Sequence, residues 1–260
     1  MPRKAKLSVA VISVPITKRE NSRFEHFQKG LLDEQRKAIV SHINGNKQRF
    51  GADVEVKDCG DLIDAGLTRP GSSKFIDEAT VAKLGKKIEA LRKKHDLVIM
   101  IGERHTGAAF AYTGHGEVAH FDAHTDRGGY PLPAGAFPGI SRPDVNASNY
   151  VGRSIAAGFK KEDQIRHYEL PSDLAWKEDA EIFDIDLDVF KRHYNMEKMY
   201  SMGMLNIPDV GKPVADSKRI NLLNISEYRK EWDDNGTAMR LMKGFALAAI
   251  GAVERRKRGK

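Results

Sequence analysis

Short apolar segments alternate along the chain with longer segments in which apolar residues recur at helical spacing. The short segments are rich in Val and Ile, which is typical of strands that are buried on both faces. The longer segments are typical of amphipathic helices, in which one side is apolar. The pattern predicts strands at residues 7–14, 53–57, 96–101, 117–121, 164–170, 180–183 and 219–226, and helices at residues 24–43, 78–94, 147–158 and 237–255.

Strands that alternate with helices predict an α/β fold with a mostly parallel sheet that is covered on both faces. Residues 128–143 are rich in glycine and proline and are expected to form a loop, and residues 196–218 show no clear pattern. A chain of 260 residues is long enough for one large core. Because no linker or internal repeat divides it, we expect a single α/β domain over residues 1–260.

Polar side chains follow three of the predicted strands. They are His105 after residues 96–101, Asp122, His124 and Asp126 after residues 117–121, and Asp184, Asp186 and Asp188 after the apolar start at residues 180–183. Alternate side chains of an extended segment point to one side, so each period-two group directs several polar groups at one place. Ligands of such sheets bind beyond the carboxyl ends of the strands. We therefore expect these residues to converge on one site.

The residue types at this predicted site indicate metal binding. Clustered carboxylates repel each other and are costly to bury unless a cation lies among them. Carboxylates and imidazoles without a thiolate suit an ion such as Mn²⁺. The number of candidate ligands is too large for one tetrahedral site but suits a pair of ions, which can lower the pKa of a bridging water and present it as hydroxide.

Each of these signals also has an ordinary structural interpretation. A single histidine after a strand, such as His105, is more often a hydrogen-bonded structural residue than a ligand. The aspartates at 184, 186 and 188 are also typical of an exposed edge strand or of a phosphohydrolase loop. We expect His115 and His120 to be structural or to support ligands rather than to bind an ion.

Composition and charge narrow the function further. The net charge is +7, but the excess of Lys and Arg lies largely at the two ends of the chain, which favours solvated tails over nucleic-acid binding. The single cysteine, Cys59, permits neither an internal disulfide framework nor a thiolate metal site. Residues 7–14 resemble a signal peptide but lack a cleavage site, and no apolar run reaches membrane-spanning length. We expect a cytoplasmic protein that does not bind membranes.

Four motifs resemble those of the ureohydrolases, the arginase and agmatinase superfamily. Phe121-Asp-Ala-His-Thr-Asp126 is similar to the central signature of that family. Gly102-Glu-Arg-His105 resembles its Gly-Gly-Asp-His motif, and Asp184-Ile-Asp186 its later Asp-x-Asp. Asn224-Ile-Ser-Glu-Tyr228, with the segment 233–238, is similar to the part that carries a substrate-binding glutamate. The order and approximate spacing of the motifs agree.

The resemblance implies a three-layer α/β/α, arginase-like fold with two Mn²⁺ per subunit. By position, His105, Asp122, Asp126 and Asp184 would bind one ion, and Asp122, His124, Asp184 and Asp186 the other. Glu227 would accept hydrogen bonds from a guanidinium group, for which a carboxylate is the natural planar partner. A metal-bridging hydroxide would attack the guanidinium carbon, and Asp126 would accept a hydrogen bond from it. The resemblance also implies a homo-oligomer, a trimer or hexamer.

The chain departs from the family pattern in residues that concern the substrate. Arg104 stands where the family has an aspartate next to its first histidine, and the connection from His105 to Asp122 is short. The histidine of a mobile loop should fall near Asn146-Ala-Ser-Asn-Tyr150, where there is none, and Tyr150, His115 or solvent would have to replace it. Asp186-Leu-Asp-Val-Phe190 also lacks the expected Asp-Pro.

Three functional hypotheses follow. The leading hypothesis is a dinuclear-metal hydrolase that cleaves a C–N bond of a small guanidino compound and releases urea, as an agmatinase does. The second is a formimidoyl or amide hydrolase of the same superfamily. The third is a paralogue without catalytic activity, metal-binding or metal-free, that has a regulatory or structural role; Arg104 and the missing histidine are the reasons for it.

Overall fold

The computed structural model describes residues 5–18, 25–62, 76–127, 144–145, 150–175, 179–190, 203–233 and 235–259. Within these ranges the strands are β1 (Lys6–Val14), β2 (Ile16–Lys18), β3 (Glu25–Phe27), β4 (Asp53–Asp61), β5 (Ile76–Asp77), β6 (Leu97–Gly102), β7 (Val118–Phe121), β8 (Asp144–Val145), β9 (Ile165–Tyr168), β10 (Ile182–Asp186) and β11 (Leu222–Ser226). The α-helices are α1 (Asp33–Gly45), α2 (Glu78–Lys94), α3 (Ala108–Tyr112), α4 (Tyr150–Ala156), α5 (Ile207–Asp216) and α6 (Thr237–Lys257).

The central sheet has seven strands in the order β4-β1-β6-β11-β10-β7-β9. Every neighbouring pair in this sheet is parallel. The mostly parallel sheet predicted from the apolar pattern is therefore confirmed. Parallel strands need crossover connections, and the helices that alternate with the strands supply them. The order also places four strands, β6, β11, β10 and β7, side by side in the middle of the sheet.

Both faces of the sheet are buried, which explains why its strands are apolar without alternation. In β6, Leu97, Ile99 and Ile101 belong to a core beneath α1, α5 and α6. The intervening Val98 and Met100 belong to a second core, beneath α2, α3 and α4. All five side chains are fully buried. The fold therefore has three layers, as the resemblance implied.

The helix predicted to begin at residue 24 begins at Asp33 instead. Residues 25–27 form β3, which pairs with β2, and the chain then turns at Lys29 and Gly30. Gly30 has φ 76°, a conformation that breaks a helix and that glycine adopts at little cost. Its N–H donates to Asp61 Oδ2 at 2.8 Å, which fastens the turn to the end of β4.

Helix α5 lies in the stretch for which the sequence pattern made no prediction. Asn206 precedes the helix, and its backbone N–H donates to Asp209 Oδ2 at 2.7 Å. Pro208 occupies the first turn, where the missing N–H costs no hydrogen bond. The predicted loop at residues 128–143 lies outside the described residues. Among the residues that are described, no helix is both long enough and apolar enough to cross a membrane.

Candidate metal centre

The predicted site residues follow the four strands in the middle of the sheet. Asp122 comes directly after β7, Asp184 and Asp186 lie at the end of β10, and Glu227 comes directly after β11. His105 opens a short 3₁₀ turn that follows β6. Because parallel strands end at the same edge of a sheet, these residues converge although up to 122 positions separate them along the chain.

The imidazole of His105 lies at the centre of this edge and is surrounded by carboxylates. Its Nδ1 is 2.8 Å from Asp122 Oδ2, 3.0 Å from Asp186 Oδ2 and 3.3 Å from Asp126 Oδ2. Its Nε2 is 2.9 Å from Asp184 Oδ1. Three of these four aspartates are at least 97% buried, and only Asp126 is slightly exposed to solvent. One imidazole therefore contacts four carboxylates.

The protonation of the cluster reflects its excess of negative charge. Burial alone would lower the pKa of His105, but the charges of Asp184 and Asp186 outweigh burial and hold this pKa well above its usual value. Burial raises the pKa of Asp126 to about 7, and the charge of Asp122 adds to the increase. Burial and the charge of Asp188 also raise the pKa of Asp186 well above its usual range. The carboxylates thus exceed the cationic groups available to pair with them, and a divalent cation would correct this imbalance.

Two sets of side chains have ligand atoms close enough together to hold an ion, with all atoms of a set within 4.8 Å of one another. The first, the inner group, is His105, His120, Asp122 and Asp126, and the second, the outer group, is Asp122, His124 and Asp188. Asp122 belongs to both groups, so the two groups share one carboxylate. The donors are oxygen and imidazole nitrogen, which suits Mn²⁺. The residues present therefore fit a metal.

Asp184 and Asp186 fall outside both groups, although the resemblance implies that they are ligands. The oxygens of Asp184 accept hydrogen bonds from Tyr112 Oη (2.7 Å), Tyr150 Oη (3.0 Å) and Asn224 Nδ2 (2.8 Å), in addition to the contact with His105. Asp186 Oδ1 accepts the N–H of Asp188 at 2.9 Å. In this structure both carboxylates contact the imidazole of His105 instead.

Two members of the groups, His120 and Asp188, were not predicted to be ligands. His120 Nε2 lies 3.0 Å from Asp122 Oδ2, and Asp188 Oδ2 lies 3.1 Å from His124 Nδ1. Asp188 also accepts the N–H of Ala123 at 3.2 Å. The period-two spacing of residues 184, 186 and 188 was the signal for Asp188, but the resemblance gave that residue no role. His120 is also two residues from Asp122, and the same alternation marks it.

The outer group is more open to solvent than the inner group. The side chain of His124 is 46% exposed, whereas that of His105 is 1% exposed. Hydrogen bonds to Asp122 and Asp188 nevertheless raise the pKa of His124 to about 11. Both imidazoles are therefore held in the protonated form by the same excess of carboxylates, and an ion at either place would displace a proton.

Tyr150 lies beneath the cluster and joins three of its members. Its hydroxyl is 2.9 Å from His105 Nε2, 2.9 Å from His120 Nε2 and 3.0 Å from Asp184 Oδ2. Burial, and then the charge of Asp184, raise its pKa well above the usual value, so the hydroxyl keeps its proton and acts as a hydrogen-bond donor. Tyr150 thus links His105, His120 and Asp184 through one buried hydroxyl. His115, the other side chain considered as a replacement for the missing histidine, is exposed.

Glu227 lies beside the cluster and pairs with two arginines. Its Oε1 accepts the backbone N–H of His105 at 3.2 Å. Arg104 Nη1 lies 3.2 Å from both carboxylate oxygens, and Arg229 Nη2 lies 3.4 Å from Oε2. The backbone of Glu227 has φ 58°, a left-handed conformation that is costly for a residue other than glycine. Asp126, with φ 46°, shares this feature, so strained backbone occurs at two positions of the site.

Solved structures with the same fold are found, whereas sequence comparison finds no relative. No protein-family model matches the chain, and no curated protein matches it by sequence. A hypothetical agmatinase from Burkholderia thailandensis is 17% identical with a TM-score of 0.67, and the alignment covers 97% of this chain and 88% of that one. For arginase from Bacillus cereus the values are 15% identity, a TM-score of 0.62, and 94% and 98% coverage.

Formimidoylglutamase from Bacillus subtilis is similar to the same degree. It is 13% identical with a TM-score of 0.65, and the alignment covers 97% of this chain and 88% of that one. At these identities the comparisons establish the fold and leave the substrate open. The ureohydrolase resemblance read from the motifs is confirmed at the level of the fold: this chain has the arginase-like α/β/α fold of the arginase and agmatinase superfamily.

Proposed function

We propose that this protein is a divergent ureohydrolase, a dinuclear-metal hydrolase that cleaves a C–N bond of a small guanidino or related amidino compound. The observation that carries the proposal is the convergence of imidazoles and aspartates from β6, β7 and β10 at one edge of the sheet. Their surplus of negative charge calls for cations, and their oxygen and nitrogen donors suit Mn²⁺. The arginase-like fold supports the same reaction class.

The proposed ligands are the six predicted from the sequence. They are His105, Asp122, His124, Asp126, Asp184 and Asp186. Asp184 and Asp186 enter this set because the resemblance implies them. Both carboxylates contact the imidazole of His105, and loss of the Nδ1 proton would free Asp186 Oδ2 while the Nε2–H still donates to Asp184 Oδ1. His120 and Asp188 are further candidates, since the inner and outer groups contain them. When bound, the ions would supply an activated water for hydrolysis.

The side chains of the chain have separate parts in this reaction. Asp126 lies at the inner group with Oδ2 3.3 Å from His105 Nδ1, where it would accept a hydrogen bond from the attacking water. Asp184, held by the hydroxyls of Tyr112 and Tyr150, would orient His105. Glu227 borders the site and would face the substrate, as the resemblance implies. Mn²⁺ as the ion, a cytoplasmic location and a homo-oligomer belong to the same proposal.

Turnover with a panel of compounds tests the proposal. We expect protein loaded with Mn²⁺ to release urea from a guanidino compound, or formamide or ammonia from a formimidoyl compound. The Asp122→Asn variant, which removes the carboxylate common to both groups, should release none. Protein that binds Mn²⁺ and releases no product from any member of the panel would contradict hydrolysis and favour a metal-binding protein without catalytic activity.

One observation favours the amide part of the second candidate, a formimidoyl or amide hydrolase. Arg104 already places a guanidinium against Glu227. A guanidino or formimidoyl group is a planar cation at neutral pH and would need that carboxylate, whereas an amide group is neutral and would not. Assays that separate urea from formamide, ammonia and free carboxylate distinguish the two candidates directly.

A further inference from the structure

The turn after β6 and the turn after β11 bring together a carboxylate and two guanidinium groups. Arg104 precedes His105 on the first turn, and Glu227 and Arg229 lie on the second. The side chains are 16%, 10% and 21% exposed, respectively, so all three are largely removed from water. Partial burial strengthens the attraction between opposite charges because less solvent screens it. We call these three residues the arginine–glutamate group.

The hydrogen-bonding capacity of Glu227 is largely used within this group. A carboxylate offers about four lone-pair positions on its two oxygens. Oε1 receives the N–H of His105 and Nη1 of Arg104, both at 3.2 Å. Oε2 is 3.2 Å from Arg104 Nη1 and 3.4 Å from Arg229 Nη2. A second planar guanidinium that approached Glu227 would therefore have to displace Arg104.

The charges of the group also disfavour a second guanidinium at Glu227. Two arginines and one glutamate give the group a net charge of +1, in contrast to the surplus of carboxylates around His105. The carboxyl of Glu103 interacts electrostatically with Arg229 and Glu227, so Arg104 is the cation that directly covers Glu227 on both oxygens. A neutral group would not compete with Arg104 for Glu227, and guanidinium groups bind carboxylates and carbonyl oxygens well.

We propose that Arg104 determines substrate specificity by occupying Glu227, so that the substrate presents a neutral or anionic group, and not a guanidinium cation, to this carboxylate. The inference rests on the proposed function in one respect, since it takes Glu227 to face the substrate. It narrows that function towards compounds whose scissile C–N bond belongs to an amide group, because a formimidoyl group, like a guanidino group, is a planar cation at neutral pH.

Binding of methylguanidinium chloride, measured by calorimetry on the full chain with and without Mn²⁺, tests the inference. We expect wild-type protein to bind this probe weakly. The Arg104→Ala variant should bind it at least about 10-fold more tightly, because charged hydrogen bonds to Glu227 become available. Arg104→Gln, which keeps a polar side chain but removes the charge and shortens the side chain, should change binding in the same direction and serves if the alanine variant is unstable.

Two further variants show whether the tighter binding of methylguanidinium occurs at Glu227. Arg229→Ala is the matched control, since it removes an arginine from the same group and leaves Arg104 on Glu227, and we expect it to bind the probe within about 3-fold of wild type. Glu227→Gln in the Arg104→Ala background should return binding to the wild-type level. That double variant is needed because the aspartates around His105 also attract a cation.

The outcomes separate this inference from the proposed function. Folded Arg104→Ala and Arg104→Gln variants that bind methylguanidinium no more tightly than wild type would overturn the role of Arg104. A gain that persists in the double variant would overturn it as well, since the probe would then bind elsewhere. Because binding is measured without turnover, the absence of hydrolysis with any substrate would contradict the proposed function and leave this result standing.

Discussion

The cluster around His105 and the arginine–glutamate group lie side by side at the same edge of the sheet, yet they balance charge in opposite ways. In the cluster, carboxylates outnumber the cationic side chains, and the pKa values of His105 and Asp186 are both raised as a result. In the arginine–glutamate group, one carboxylate is paired with two guanidinium groups. The first region has more carboxylates than cationic side chains of its own, and the second has more guanidinium groups than carboxylates.

The two regions differ in how many residues each one depends on. A metal cluster depends on several carboxylates together, because each one lost weakens the site for all the others. A single glutamate that meets a substrate can be blocked by one side chain nearby, as we propose for Arg104 and Glu227. Under the proposed function, the candidate ligands therefore concern the reaction, and the residues around Glu227 concern the substrate.

Replacement of Asp122 should have the largest effect of the variants described below, a loss of affinity for Mn²⁺. Its carboxylate is common to the inner and outer groups. We expect Asp122→Asn to weaken Mn²⁺ binding by more than about 100-fold, since loss of a ligand exceeds the 10- to 100-fold cost of losing a supporting residue. Calorimetric titration of Mn²⁺ measures it. The exposed Asp163→Asn is the charge-matched control. Equal affinity in Asp122→Asn and the control would show that the cluster does not bind the ion.

Asp188 allows a finer test within the cluster. Its Oδ2 lies 3.1 Å from His124 Nδ1, so it either binds an ion or orients a ligand. In both cases we expect Asp188→Asn to weaken the binding of one ion by about 10-fold and to leave the other nearly unchanged. Titration to two equivalents of Mn²⁺ separates the two steps. An unchanged affinity for both ions would leave Asp188 outside the site, as the family resemblance implied.

Tyr150 should affect stability more than Tyr112 does. The hydroxyl of Tyr150 contacts His105, His120 and Asp184, whereas Tyr112 donates to Asp184. We expect Tyr150→Phe to lower the free energy of unfolding of the metal-free protein by about 1–3 kcal/mol, and Tyr112→Phe by about 1 kcal/mol. Urea unfolding measures both. A smaller effect for Tyr150→Phe than for Tyr112→Phe would mean that the three contacts are not maintained in solution.

The sequence predicted the sheet and most of the cluster because both leave local signals. A strand buried on two faces, such as β6, is a continuous apolar run, and the period of two marks every aspartate from Asp122 to Asp126 and from Asp184 to Asp188. The start of α1 was predicted nine residues too early, because the apolar and charged pattern continues through β3 and only the φ of Gly30 ends it.

The pairing of Arg104 with Glu227 was beyond prediction from local patterns. The two residues are 123 positions apart and meet because β6 and β11 are neighbours in the sheet. The sequence showed that Arg104 was an unusual residue beside the first histidine, but strand order was needed to show which carboxylate it meets. The same limit applies to Tyr112 and Asn224, whose contacts with Asp184 arise from α3 and β11.

Lys160 is a buried charge that is held by backbone carbonyls. Its replacement should have a small effect, which concerns the pH dependence of stability. Its Nζ donates to the carbonyls of Gly114 and Gly116, and burial lowers its pKa to about 8. The unfolded chain, in which the pKa is near 10.5, retains a proton that the folded chain loses above pH 8, so this residue makes stability rise between about pH 8 and 10.5. We expect the free energy of unfolding of Lys160→Met to lack this rise, a difference of at most about 2 kcal/mol after solvent screening. Urea unfolding at several pH values in this window measures it, with the exposed neighbour in Lys161→Met as the control. Parallel pH profiles for wild type and Lys160→Met would show that carbonyl groups alone hold this ammonium without a shift, and would weaken the view that the cluster and the arginine–glutamate group need counter-charges.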